Sequence, residues 1–237
     1  MKAGRPLLYA LAFAGTLAFA ALGIWQLGRA HEKERALAAF EGAQSAPPRE
    51  LADTLRHGAG EALELPVRVQ ANGRYDDSVT LLLDNQILDG KAGVDVLTVY
   101  HPEDSSYAVL VDRGWLPLPP DRRPPIVPAT GALRGRVDGM LRAPPAPGVR
   151  MGNAEFVRGN TPPLLAYLDL DALERQSGTR LLRAVLQLAP DAPHGFTRRW
   201  QAQANPMTPE RHRGYAVTWF ALASLVVVTT VVLAWRR

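Results

Sequence analysis

Arg211-His212-Arg213-Gly214-Tyr215-Ala216-Val217-Thr218-Trp219-Phe220 opens a run that continues through Ala221-Leu222-Ala223-Ser224-Leu225 and Val226-Val227-Val228-Thr229-Thr230 to Trp235-Arg236-Arg237. Its 22 residues from Gly214 to Trp235 carry no charge. As a helix rising 1.5 Å per residue the run is about 33 Å long, enough to cross a hydrocarbon core. Arginines bracket His212 at its mouth and two more close the chain. Tyr215, Ala216 and Trp219 follow His212 at i+3, i+4 and i+7. The spacing predicts one imidazole and two aromatic rings on one helical face.

A second uncharged run, Pro6 to Gly28, spans 23 residues behind Lys2 and Arg5. Ala18-Phe19-Ala20 offers a signal-peptidase site, but the apolar stretch continues past it and exceeds a signal core of 7–15 residues. The reading is an uncleaved anchor, followed by a charged helical stalk to about Phe40. Trp25 and Arg29 stand four apart, the pattern of a belt tryptophan and a snorkelling arginine. His31-Glu32-Lys33-Glu34-Arg35 carries Arg35 where a zinc-protease motif needs its second histidine, which excludes that enzyme class.

Between the two runs lie about 185 residues, the size of one domain. The chain has no cysteine, so disulfides, thiolate metal sites and cysteine nucleophiles are excluded. Its net charge of +4 comes with no basic stripe interleaved with aromatics, so the arginines near the apolar runs point to membrane lipid and not to nucleic acid. Strands are expected at 65–70, 79–83, 94–100, 107–111, 132–141, 164–168 and 181–188. Asn72-Gly73 and Asp84-Asn85 read as turns ending the first two, and Asp76, Asp77 and Asp112 as turn aspartates. Proline-rich loops fill 116–128 and 143–148, and a short helix at 171–176 ends at Gly178. The expectation is a membrane protein with two transmembrane helices, 6–28 and 214–235. They flank an extramembrane domain, 29–213, that is a mainly antiparallel β sheet or small barrel with short helices.

Two antiparallel spans place Trp25 to Arg29 and Arg211 to Tyr215 at one membrane surface, so Trp25, Gln26, Arg29, His212, Tyr215 and Trp219 are expected to share a pocket. Counting charge gives Lys2, Arg5, Arg236 and Arg237 on the tails. Arg29, Lys33, Arg35, Arg198, Arg199, Arg211 and Arg213 lie on the domain side, which leaves orientation open. His212 has two readings: an interfacial histidine in water and headgroups, or an iron ligand. A haem suits the second, since it joins an imidazole-binding iron to a flat apolar ring and two propionates that Arg29, Arg211 and Arg213 would meet. Catalytic signatures are poor: there is no nucleophile elbow or phosphate loop, and His101 with Asp104 is only a loop pairing.

The ends and middle together resemble the Surfeit locus protein 1 family of cytochrome c oxidase assembly factors. The resemblance rests on Gly23-Ile24-Trp25-Gln26-Leu27-Gly28-Arg29 with Lys33, and on Pro66-Val67 with Gly73-Arg74-Tyr75. It continues through Gly90-Lys91-Ala92-Gly93-Val94 with Leu97-Thr98, then Val109-Leu110-Val111-Asp112-Arg113-Gly114-Trp115-Leu116-Pro117, and ends at His212 to Phe220. It implies two spans in the bacterial inner membrane with the domain on the periplasmic side. It also implies a non-enzymatic role in building the oxidase's catalytic subunit, with haem a as cofactor, His212 as metal ligand and haem a synthase as a further partner. Arg113, Gly114 and Trp115 are implied to matter to the domain. The chain departs from the family at Pro209-Glu210-Arg211, where asparagines are frequent, and at Val99-Tyr100, where a proline is.

The leading expectation is therefore a carrier that holds haem a at His212, with Tyr215, Trp219, Trp25, Arg29 and Arg211 around it. His31, just beyond Arg29, is a second candidate ligand. The rivals are a scaffold for the oxidase subunit that binds no haem, and a membrane-tethered enzyme with its site in the β domain.

Overall fold

The computed structural model describes residues 4–57, 63–131, 134–145, 156, 161–198 and 207–236. Lys2, Arg199 and Arg237 of the charge count, and 146–148 of the second proline cluster, lie outside them. The chain divides into two compact units, one made of Met1–Ala39 with Gln201–Arg237 and the other of Phe40–Trp200.

The first unit is a helical pair. Helix α1 covers Gly4–Ser45, and α4 covers Pro209–Trp235. Both are long and apolar enough to cross a membrane. Thr208 caps α4, accepting from the Arg211 N–H, and Pro209 takes the first turn, where its missing N–H costs nothing. The departure at Pro209-Glu210-Arg211 is thus a well-formed helix start. The less exposed positions of α1 include Ala12, Thr16, Phe19, Gly23, Gln26 and Ala30, and those of α4 include His212, Ala216, Trp219, Ala223, Val226 and Thr230. Both series step by four and three alternately, the heptad of a supercoiled seam. Small residues let the backbones approach closely, as helices packed without a hydrophobic driving force require. A Cβ on Gly23 would stand 2.7 Å from the Phe220 ring, and Phe19 stacks on Trp219 with centroids 5.7 Å apart.

The second unit is a closed sheet. Its elements are β1 (Arg49–Glu50), α2 (Leu51–His57), β2 (Val67–Leu88), β3 (Lys91–Pro102), β4 (Ala108–Pro117), β5 (Arg134–Arg142), β6 (Leu164–Leu165), α3 (Leu170–Ser177) and β7 (Leu181–Leu188). Hydrogen bonds run β2–β3–β4–β7–β5 and return from β5 to β2, so the five long strands form a ring. Strands β5, β2, β3 and β4 make a Greek key, and β7 closes it. The sheet is mixed but mainly antiparallel, as expected: β2–β3, β2–β5, β3–β4 and β5–β7 pair antiparallel, whereas β4 with β7 and the two-residue strands β1 and β6 with β2 pair parallel.

Strand β2 explains the closure and corrects the sequence reading. Asn72-Gly73 is not a turn. Residues 67–74 pair with β5 and residues 73–88 with β3, so Gly73 belongs to both ladders. A Cβ there would lie 2.2 Å from the His101 carbonyl oxygen, so the crossover needs glycine. Asp84-Asn85 is likewise a bulge inside β2, where the register shifts between Leu83 and Gln86 and Asn85 takes φ 60°. Asp76 and Asp77 sit at a second shift, and Asp112 lies within β4, so these aspartates mark bulges where turns were expected. The actual hairpin turn is Asp89-Gly90, both at positive φ, joining Leu88 to Lys91.

Strands read as unbroken apolar runs because they are buried on both faces. Along β4, Ala108 and Leu110 join one cluster while Val109 and Val111 join the other. Along β7, Leu181 and Val185 alternate in the same way with Leu182, Ala184, Leu186 and Leu188. Helix α3 covers the first cluster through Leu170 and Leu173. Asp169 caps its start and Gly178, at φ 67°, ends it, close to the expected helix. Helix α2, through Leu51, packs on the second cluster.

Candidate functional site in the helical pair

His212 occupies the first turn of α4, on the seam and not on the apolar flank. It is 6% exposed. Its Nδ1–H donates to the Oε1 of Gln26 at 2.7 Å, and Gln26 is 8% exposed. The bond gives each buried side chain a polar partner, which is how polar groups survive inside a helical interface. No hydrogen bond reaches Nε2 among the described residues, and in a neutral ring that donates from Nδ1 the lone pair resides there. An imidazole tied through one nitrogen to an oxygen acceptor, with the other nitrogen basic, is the donor set of a histidine metal ligand. The chemistry therefore fits a haem iron.

The structure separates the other expected residues. Ala216 and Trp219 follow His212 along the seam, but Tyr215 turns out of it and is 50% exposed. The expected single face of one imidazole and two rings is thus divided, because a seam of period 3.5 takes positions i+4 and i+7 and leaves i+3 on the flank. Trp219 is engaged with Phe19. Trp25 is 57% exposed, one position off the seam that Gln26 occupies. Arg29 pairs with Glu32 on its own helix, whereas Arg213 crosses to Glu34 at 2.6 Å, fixing the helices in antiparallel register beside the histidine. Arg211 is exposed and makes no ion pair among the described residues, so of the three arginines expected at the propionates it is the uncommitted one. His31 is exposed on α1. Sequence reading placed Gln26 near the site without seeing its bond. The signal was the four–three spacing of small and polar residues within an apolar run.

In the β unit, His101 belongs to the end of β3 and not to a loop, and its Nε2 lies 3.8 Å from the Asp76 carboxylate, not beside Asp104. Arg113 and its neighbours hold a strap. Arg113 Nε donates to the His194 carbonyl, the Phe196 N–H donates to the Arg113 carbonyl, and the Trp115 N–H donates to the Thr197 carbonyl. Gly114, at φ 110°, lets that strap lie close: a Cβ would sit 2.8 Å from the Thr197 oxygen.

A buried histidine–glutamine clasp within a pair of long apolar helices that flank a mixed, closed sheet defines a two-helix anchored β-domain protein. Residues 13–224 match the SURF1 family, and the chain belongs to that family. It is 26% identical to a SURF1-like protein of Monosiga brevicollis, over 98% of this chain and 89% of the relative. It is 27% identical to Surfeit locus protein 1 of Rattus norvegicus, over 86% of this chain and 68% of the relative.

Proposed function

We propose that this chain is a membrane-anchored assembly factor that holds haem a through His212 and passes it to the catalytic subunit of cytochrome c oxidase. Membership of the SURF1 family supports the oxidase role. The observation that carries the haem reading is the Nδ1–H bond to Gln26, which leaves Nε2 as the basic nitrogen. Bound there, haem a would be the cargo. The chain's own part is to orient the imidazole through Gln26, to offer Arg211 to a propionate, and to release the ring when the helices part. The anchoring helices would sit in the bacterial inner membrane with the β unit on the periplasmic side, and haem a synthase would be the source of the cargo.

The same clasp favours a second reading. A histidine this deeply buried is also a sufficient lock between two helices, and a scaffold that binds no haem would need it for that alone. The absorption spectrum of the purified chain, co-expressed with the haem a biosynthetic enzymes, separates the two. The carrier reading expects a reduced haem a band that His212→Ala abolishes and Gln26→Leu weakens. Haem-free protein from the wild-type chain would leave the scaffold.

A further inference from the structure

Arg113 is 3% exposed, and an arginine cannot escape burial by losing its proton. Its guanidinium lies between two aromatic faces, 5.7 Å from the Tyr75 centroid and 5.1 Å from that of Phe196. Nε donates to a backbone carbonyl, and Nη1 reaches the Thr98 hydroxyl at 3.4 Å. No carboxylate among the described residues comes within ion-pair distance of it. Buried charges are ordinarily paired, and this one has no ion-pair partner among the described residues.

The guanidinium also forms part of the wall of a cavity of about 230 Å³, lined with Asp77, Ser78, Thr80, Val127 and Pro162 among others. Asp77 stands on the same wall and its charge favours that of Arg113 from beyond ion-pair distance, while its oxygens accept from the Thr130 N–H and hydroxyl and from the Gly131 N–H at 2.8 to 3.0 Å. A second cation stands near. Arg198, on the strap, has Nε and Nη1 buried without an acceptor among the described residues, and although Asp112 and Asp191 favour its charge, it works against that of Arg113. An arginine without an ion-pair partner, with a second cation nearby, favours an anion in the cavity, where low-dielectric walls strengthen the attraction.

We propose that this cavity binds a compact oxyanion, a carboxylate or phosphate group, seated against Arg113 with the Thr80 side of the cavity as its second wall. The group supplies the close ion-pair partner that Arg113 lacks, and an arginine fork recognises both chemistries through paired N–H donors. The site belongs to the β unit and is independent of haem at His212.

Calorimetric titration of the full chain in detergent with inorganic phosphate, and separately with acetate, tests it against sodium chloride of matched ionic strength. Saturable one-to-one binding of either anion is expected, and the anion that binds gives the group the natural ligand presents. Arg113→Gln should weaken it about tenfold or more, as loss of a charge-assisted bond does. Should that variant fail to fold, Arg198→Gln leaves Arg113 in place and should still weaken binding severalfold, more at low salt than at high. No saturable binding of either anion, or equal affinity in wild type and Arg198→Gln, overturns the proposal.

Discussion

Asp95 on β3 and Asp112 on β4 flank the register shift between Asp95 and Leu97. Burial raises the Asp95 carboxyl well above the ordinary range, and the neighbouring Asp112 raises it further. Burial raises Asp112 too, although the Gly114 N–H at 2.9 Å and the charges of Arg142 and Arg198 oppose it. In the unfolded chain both would titrate near an ordinary aspartate. As pH rises from about 4, the unfolded state releases these protons before the folded state does, and stability falls until the pair ionises in place. Asp95→Asn removes the group that is harder to ionise. The variant should match wild type near pH 4 and gain on it as pH rises to about 8, read from urea midpoints at each pH. A wild-type profile that climbs over that range would contradict the assignment. None of this was legible beforehand: composition marked Asp112 as a turn aspartate, and only the β3–β4 register brings it near Asp95. His212, by contrast, was legible as a candidate because a histidine bracketed by arginines at a helix mouth is chemically conspicuous. Its partner was not, since glutamine in an apolar run gives no cue until the facing helix is known.

At the scale of elements, period decided what could be read. The apolar runs declared both long helices, and the stretch 171–176 ending at Gly178 declared α3, whose Asp169 cap only the structure shows. Strand β2 defeated the same logic because Asn72-Gly73 is a strong turn pair. Here the glycine is required by the approach of the His101 carbonyl, a tertiary demand that sequence spacing does not carry. The Asp89-Gly90 turn carried the standard hairpin signal and could have been found from it. The helical pair makes a sharper claim about glycine. Gly23 faces the Phe220 ring, whereas Gly28, five residues on, has nothing within 4 Å of where a Cβ would lie. Gly23→Leu should loosen the pair, destabilising by about 1–3 kcal/mol as overpacking does, while Gly28→Leu should be neutral or slightly stabilising, since leucine favours helix. Thermal scans of helical ellipticity in detergent check both. Equal transitions for the two variants would show that the seam does not run through Gly23.

At the scale of the molecule, the division into two units is a statement about where cooperativity resides. The ring β2–β3–β4–β7–β5 returns to its first strand, so its backbone donors and acceptors are met inside Phe40–Trp200. Both large apolar clusters, including the contributions of α2 and α3, are drawn from the same residues. Closure removes the open sheet edges that would otherwise need covering. The helical pair satisfies its own polar residues through Gln26 with His212 and Glu34 with Arg213. A chain of residues 40–200 alone should fold, giving one cooperative thermal transition and a near-ultraviolet signal from Trp115, whose ring lies against Gly93. It should bind the same anion as the full chain, since Arg113 and Arg198 travel with it, and it should carry no haem, since His212 does not. A fragment with native far-ultraviolet ellipticity but no near-ultraviolet signal would mean that the helices are needed to fix the packing of the barrel. A fragment that loses only the anion would place part of that site on the helices. A fragment that retains both fold and anion would localise the anion site and the histidine clasp in separate units of one chain.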